Sequence, residues 1–144
     1  MPIHVLLVED NPGDVRLTQE AFRAVNPSVR LHVANDGMEG LAFLRHQGPF
    51  SNAPRPDFIL LDLDLPKMSG LEVLAQIKAD PSLKMTPIFI LSTSKEGLDI
   101  AMGYGSQANC FLRKPVNLDD YETLVQSIND FWLANVELPR MISD

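Results

Sequence analysis

Five short apolar segments alternate with five segments of helical pattern along the 144-residue chain, and this alternation restricts the possible folds more than any other feature of the sequence. Strands and helices that alternate at this spacing are typical of one parallel sheet with helices on both faces. The sequence therefore predicts an α/β fold built on a doubly wound, five-stranded parallel sheet. The predicted strands are residues 3–8, 29–34, 57–62, 87–92 and 108–113.

Capping residues indicate where the helices begin. Asn11 before Pro12 predicts the start of the first helix, because asparagine is a good cap and proline suits the first helical position. Ser69 followed by Glu72 has the pattern of a capping box, and Asn117 is the expected cap of the last helix. The predicted helices are residues 12–25, 38–47, 70–79, 96–104 and 118–135, and residues 48–56 are predicted to form a loop.

Composition excludes several functional classes. An apolar content of 45% and a charged content of 22% are ordinary for a globular protein, and the length suits a single domain spanning residues 1–144. The N-terminal residues do not have the pattern of a signal peptide, and no segment approaches the roughly 18 consecutive apolar residues of a membrane span, so we expect a cytoplasmic protein that does not contact the membrane. The lone Cys110 excludes an intramolecular disulfide. A net charge of -7 and scattered basic residues argue against binding to nucleic acid.

Polar residues follow four of the predicted strands. Glu9 and Asp10 follow the first, Asp62 and Asp64 lie at the end of the third, and the fourth and fifth lead into the polar residues Ser92, Thr93 and Lys114. In a doubly wound fold the reactive site lies at the carboxyl ends of the strands. Each residue alone has a structural explanation as a solvated loop residue or helix cap, but their joint placement at four strand ends predicts one site.

The residue types indicate phosphoryl chemistry. Neighbouring carboxylates repel by roughly 4 kcal/mol per pair at 4 Å with an effective dielectric of 20, and a divalent cation relieves that repulsion. Mg²⁺ suits such a site because it needs few protein carboxylates and leaves positions for phosphate oxygens. A lysine and a hydroxyl can hold the remaining oxygens while one carboxylate attacks phosphorus. The sequence therefore predicts Mg²⁺-dependent phosphorylation of an aspartate.

The segments VLLVEDN, LLDLDLPKMSG, ILS and FLRKP resemble, in order, the motifs of the receiver domains of two-component response regulators. The resemblance covers about residues 3–130, leaves residues 131–144 as a C-terminal extension, and implies the flavodoxin-like receiver fold. It also implies that Asp62 is the phosphoacceptor, since Pro66 and Gly70 follow it at the spacing of the family. Asp64 is then expected to offer its backbone carbonyl to the metal.

The same resemblance assigns the other site residues. Asp10 is implied to be a metal ligand, and Glu9 is implied to act through a metal-bound water. Lys114 matches the phosphate-binding lysine, Ser92 the switch hydroxyl and Phe111 the switch aromatic of the family. The protein is then a signalling protein that catalyses only its own phosphotransfer and autodephosphorylation. The resemblance further implies that a sensor histidine kinase phosphorylates this protein.

Two segments narrow the resemblance further. The long loop before the third strand and the stretch FWLANVELP resemble small stand-alone regulators that partner cyanobacterial phytochromes. No output domain is expected to follow. We therefore predict a phytochrome kinase as the partner, and homodimerisation through the fourth helix, the fifth strand and the fifth helix. Phe131 and Trp132 are equally compatible with core packing and with a dimer contact.

An alternative comes from another class. The pattern of Asp62 and Asp64 after an apolar strand also resembles haloacid-dehalogenase-type phosphatases, where they would be nucleophile and general acid. Those enzymes place this motif on the first strand, whereas here an acidic pair precedes it. A receiver fold used only for binding is a third possibility, which the full set of acids, hydroxyl and lysine disfavours. Two departures from the family also raise hypotheses: Thr93 is expected to stand beside the path of the donor, and the acidic side chain of Asp64 is expected to change the lifetime of the phosphorylated state.

Overall fold

The computed structural model describes residues 2–103 and 110–131. Within them, five strands alternate with five α-helices, which confirms the predicted order of elements. The elements are β1 Ile3–Val8, α1 Pro12–Val25, β2 Val29–Ala34, α2 Gly37–Leu44, β3 Phe58–Asp62, α3 Gly70–Ala79, β4 Ile88–Ser92, α4 Lys95–Gly103, β5 Cys110–Arg113 and α5 Leu118–Phe131. A short 3-10 helix, Gly48–Phe50, lies in the predicted loop.

The strands form one parallel sheet in the order β2-β1-β3-β4-β5. The predicted doubly wound sheet is therefore confirmed. The chain adds β2 on one side of β1 and the later strands on the other, so the strand order reverses between β1 and β3. A reversal of this kind opens a crevice at the carboxyl ends of the strands.

Alternate residues of the central strands enter two separate cores. One core packs β1, β3 and β4 against α2, α3 and α4, and contains Leu6, Ile59 and Ile90. The other packs the same strands against α1 and α5, and contains Leu7 and Leu60. Both β3 and β4 are buried along their whole length, as expected for strands covered by helices on two faces. The helices therefore hold the ends of these strands in fixed positions.

Three predicted caps are present. The Asn11 Oδ1 accepts a hydrogen bond from the Asp14 amide at 3.1 Å, and Pro12 is the first residue of α1. The Ser69 Oγ accepts from the Glu72 amide at 3.3 Å at the start of α3. Asn117 caps α5 by accepting from the Asp120 amide at 2.9 Å. These contacts satisfy amides that have no partner inside the helix.

Helix α2 ends earlier than predicted, at Leu44 instead of about Gln47. His46 has a φ of 57°, in the left-handed region that a right-handed helix cannot include. The His46 amide donates to the Phe43 carbonyl and the Gln47 amide to the Ala42 carbonyl at 2.9 Å, which is the hydrogen-bond pattern of a Schellman motif. Such an ending usually has glycine at the left-handed position, so its sequence signal is absent here.

Several predictions concern residues that the structure does not describe. These are the ends of the fourth and fifth helices at residues 104 and 135, the start of the fifth strand at residue 108, and all of the C-terminal extension except Phe131. The Phe131 ring packs edge-on against Phe89, with ring centroids 5.8 Å apart. Among the described residues, no helix has the length and apolar character needed to cross a membrane.

Candidate functional site

The structure brings the predicted acidic residues together at the carboxyl end of the sheet. Carboxylate oxygens of Glu9, Asp10 and Asp62 lie within 4.8 Å of one another. Glu9 and Asp62 are each 1% exposed, whereas Asp10 faces solvent. Three hard oxygen donors with one open side suit a divalent cation that keeps part of its water shell. The residues present therefore fit a divalent metal.

Lys114 joins this cluster from the end of β5. Its Nζ lies 2.6 Å from Glu9 Oε1 and 3.2 Å from Asp62 Oδ2, and its side chain is 6% exposed. The position is fixed by the sheet, because the Lys114 amide donates to the Ser92 carbonyl at 2.8 Å. Burial lowers the pKa of the ammonium, but Glu9, Asp62 and Asp14 outweigh it and the pKa is raised overall. The lysine is therefore positively charged beside Asp62.

Among the carboxyl groups that the structure describes, Glu9 has the largest shift in pKa. Burial, together with a hydrogen bond and repulsion from Asp62, raises the pKa of Glu9 to about 8, although Lys114 opposes the shift. Its Oε2 also accepts a hydrogen bond from the Asn11 amide at 3.2 Å. A raised pKa favours the protonated form of Glu9 more than is usual for a glutamate. Because a metal binds the deprotonated carboxylate, we expect metal binding at this site to be coupled to proton release.

The segment after Asp62 folds tightly around it. The Asp64 amide donates to Asp62 Oδ1 at 3.0 Å, and the Gly70 amide donates to the Leu63 carbonyl at 3.2 Å. A Cβ at Gly70 would lie 2.5 Å from the Asp62 carbonyl oxygen and 2.7 Å from Leu63 Cα, which only glycine avoids. Lys67 has a φ of 65° within this turn. The close approach of α3 therefore holds the backbone at the end of β3, and the Asp64 amide orients the Asp62 side chain.

The Asp64 side chain extends across the site toward the end of β4. Its Oδ2 lies 3.4 Å from Ser92 Oγ, 3.3 Å from Thr93 Oγ1 and 3.4 Å from the Thr93 amide. The Ser92 Oγ also accepts from the Ser94 amide at 3.1 Å. Thr93 is exposed, and its hydroxyl turns toward Asp64. The acid therefore holds the β4–α4 connection by three long hydrogen bonds.

Phe111 lies near this connection without belonging to the polar cluster. It pairs with Ile90 in the parallel ladder of β4 and β5, two residues before Ser92 and Arg113. Its half-buried ring packs against the core that contains α3 and α4. The structure thus places Phe111 on the strand next to Ser92, two register positions before it.

Sequence analysis missed two residues of the site. The Asp14 Oδ2 is 3.0 Å from Lys114 Nζ, and the Tyr121 hydroxyl donates to Asp14 Oδ1 at 3.2 Å. The available signal was the place of Asp14 in the first turn of the helix that follows Glu9 and Asp10. Nothing in the sequence indicates the contact with Tyr121, because it depends on the packing of α1 against α5.

Comparison with known proteins places the chain in a family. The model of the response regulator receiver domain matches residues 5–128. Response regulator Rcp1 of Synechocystis sp. is 46% identical over 138 residues, which are 96% of this chain and 94% of Rcp1. The structure of the phosphorylated cyanobacterial phytochrome response regulator RcpA is 46% identical, with a TM-score of 0.84 over 92% of this chain and 95% of RcpA. The Mn²⁺-bound structure of Rcp1 is 45% identical, with a TM-score of 0.81 over 93% and 96% of the two chains.

These matches decide between a receiver domain and a haloacid-dehalogenase-type phosphatase. The family model covers all five strands, and the acidic pair precedes the strand of Asp62 as it does in receivers. The haloacid-dehalogenase alternative is therefore wrong. Binding of a divalent metal at the acidic pocket and acceptance of a phosphoryl group follow from the family. The chain belongs to the response regulator receiver domain family and is a signalling protein of two-component systems.

Proposed function

We propose that this protein accepts a phosphoryl group on Asp62 from a phosphohistidine of a sensor histidine kinase, in a reaction that requires Mg²⁺. The observation that carries this proposal is the Asp62 carboxylate, buried at a strand end, with Glu9, Asp10 and the Lys114 ammonium around it. Glu9, Asp10, Asp62 and the backbone carbonyl of Asp64 would hold the metal. When bound, Mg²⁺ would offset negative charge on the carboxylates and the phosphoryl oxygens.

The residues of the chain perform the transfer by position and charge. One Asp62 oxygen attacks phosphorus in line, the oxygen–phosphorus bond forms, and the phosphorus–nitrogen bond of phosphohistidine breaks with its electron pair leaving on the imidazole. The Lys114 ammonium stabilises the charge on the phosphoryl oxygens, since it is already 3.2 Å from Asp62 Oδ2. The Asp64 amide keeps the second Asp62 oxygen oriented.

The phosphorylated state would be sensed at the end of β4. The new group adds charge and strong acceptors, so the Ser92 hydroxyl moves toward it and Phe111 turns into the vacated space. Asp64 now competes for the same hydroxyl, which would affect both the switch and the autodephosphorylation rate. One charge-assisted hydrogen bond contributes roughly 1.5–3 kcal/mol, whereas a shift from 1:99 to 99:1 needs about 5.5 kcal/mol. A homodimer or another partner would therefore complete the switch.

The named relatives suggest the partner. RcpA is a cyanobacterial phytochrome response regulator, so a phytochrome histidine kinase in the cytoplasm is the proposed donor. We place the dimer contact on α4, β5 and α5. Light scattering across protein concentrations, with and without phosphorylation, tests this contact. A constant monomer mass in every condition would contradict it.

The central experiment is labelling with acetyl phosphate and Mg²⁺, read by intact mass and peptide mapping. We expect one phosphoryl group on Asp62, no labelling after chelation of the metal, and none in Asp62→Asn. Asp119→Asn is a matched control, because Asp119 is an exposed acid in the first turn of α5. Labelling that persists in Asp62→Asn would contradict the assignment of the phosphoacceptor.

A further inference from the structure

Lys114 has an acidic partner that is not a candidate metal ligand. Its Nζ lies 3.0 Å from Asp14 Oδ2, between the distances of 2.6 Å to Glu9 and 3.2 Å to Asp62. Glu9 and Asp62 belong to the three-carboxylate cluster, and Asp14 does not. Asp14 comes from the first turn of α1, so its position does not depend on the segments that carry Asp62 or Ser92.

Both oxygens of Asp14 are engaged. The Oδ2 faces Lys114, and the Oδ1 accepts a hydrogen bond from the Tyr121 hydroxyl at 3.2 Å. Tyr121 is 1% exposed and belongs to the core between the sheet, α1 and α5. Burial and the charge of Asp14 raise the pKa of the phenol, so it remains a hydrogen-bond donor across the physiological range. Asp14 is therefore held by a rigid, buried group.

The donors of the ammonium match this arrangement. A lysine ammonium has three N–H groups, and three carboxylates lie within hydrogen-bond distance of it. Two of these carboxylates are candidate metal ligands, so a bound cation would share their charge. The contact with Asp14 would then remain, and the other two N–H groups would be able to meet phosphoryl oxygens.

Building on the function proposed above, we propose that Asp14 is a positioning residue that holds the Lys114 ammonium at the phosphoacceptor, and that Tyr121 acts on the lysine only through Asp14. The chain of contacts runs from Asp62 through Lys114 and Asp14 to Tyr121 on α5. It predicts that a change in α5 alters phosphotransfer without touching the reacting atoms. A purely structural bridge between α1 and α5 would change the stability but leave the phosphorylation rate of the folded protein unaltered.

A double-mutant cycle separates these roles. Rates of phosphorylation by acetyl phosphate at saturating Mg²⁺ are measured for Asp14→Ala, Tyr121→Phe and the double variant. We expect a loss of about tenfold for Asp14→Ala, near the lower end of what a hydrogen bond to a charged group contributes. Tyr121→Phe should lose about threefold in the presence of Asp14 and nothing further in the Asp14→Ala background, because coupled groups are not additive. Additive losses, unchanged rates or a faster Asp14→Ala variant would overturn the proposal.

Two controls keep the result interpretable. Glu20→Gln removes another acid of α1, one that pairs with Arg16 and lies outside the site, and is expected to keep the parental rate. Asp14→Asn retains the volume of the side chain and replaces Asp14→Ala if thermal denaturation shows that the alanine variant is unfolded. The Asn variant should also lose rate, because it lacks the charge that orients the ammonium.

A second readout is independent of phosphorylation. Hydrogen exchange of the Lys114 ammonium protons, followed by NMR in metal-free protein, should be faster in Asp14→Asn and unchanged in Glu20→Gln. If the parent is not labelled at Asp62 but exchange responds, the proposed function fails and the positioning contact stands. If the parent is labelled and neither exchange nor the cycle responds, the proposed function stands and the role of Asp14 fails.

Discussion

Replacing Lys114 by methionine tests how the carboxyl end of the sheet is stabilised. Methionine keeps most of the apolar stem and removes the charge that lies within 3.2 Å of Glu9, Asp14 and Asp62. Removing one member of a buried ion pair costs about 3–5 kcal/mol, because the remaining charge has no compensation. Since Glu9 can bind a proton near neutral pH, we expect the lower end of that range, about 3 kcal/mol, and a melting temperature lower by roughly 10 °C.

The pH dependence gives this prediction a sign. Glu9 has a raised pKa even beside Lys114, and the Lys114→Met change removes the charge that opposes this shift, so the folded variant binds more protons than its unfolded chain. The contribution of Glu9 to stability is present at low pH and is lost as the pH rises through the folded pKa. The difference between parent and variant should therefore be larger at pH 8 than at pH 5.5. Mg²⁺ should reduce the difference in stability between parent and variant, because the cation neutralises the same carboxylates.

Urea denaturation at the two pH values, with and without Mg²⁺, measures these differences. Lys78→Met is the control, because Lys78 is half-buried and donates to the Lys84 carbonyl instead of a carboxylate. Its effect should be small and independent of Mg²⁺. The reasoning is refuted if Lys114→Met is as stable as the parent at pH 8, or if its deficit does not change with pH.

Three further predictions concern other parts of the molecule. Gly70→Ala should destabilise the fold by at least about 1–3 kcal/mol and slow phosphorylation, since the new Cβ would overlap the backbone of Asp62; an unchanged urea midpoint would contradict this. Because the pKa of Glu9 is raised to about 8, the affinity for Mg²⁺ measured by calorimetry should rise by up to about tenfold per pH unit from pH 6 toward 8, and a flat profile would contradict the proton release. Burial and His4 lower the pKa of His32, so the contribution of His32 to the stability of the fold is present above about pH 6.5 and is lost as the pH falls. In thermal denaturation between pH 7.5 and 5, His32→Gln should therefore lose less stability than the parent.

The sheet and the location of the site could be predicted because local sequence patterns encode both. Buried parallel strands produce continuous apolar runs such as Phe58–Asp62, and the polar residue that ends such a run must lie at the edge of the sheet. The resemblance to receiver domains, through the positions of Pro66 and Gly70, then favours Asp62 over Asp64 as the expected phosphoacceptor. The contact of Gly70 with the Asp62 carbonyl gives a physical reason for a glycine at this position.

What could not be predicted depends on side-chain directions and on packing between distant elements. The ending of α2 uses His46 in a conformation that sequence analysis assigns to glycine. The Asp64 side chain could have pointed to solvent, and its direction toward Ser92 and Thr93 follows from the path of the β3–α3 turn. The contact between Asp14 and Tyr121 joins residues 107 positions apart, and it exists only because α1 packs on α5.

The division of the interior into two cores affects which surfaces of the protein can respond to a change at Asp62. Phe111 belongs to the side of the sheet that carries α3 and α4, and Tyr121 belongs to the side that carries α1 and α5. Tyr121 connects to Lys114 through Asp14, and the Phe111 ring packs on the opposite side of the sheet, two register positions before Ser92. A phosphoryl group on Asp62 would therefore have neighbouring elements on both faces of the sheet, so that a kinase and a downstream partner need not compete for the same surface.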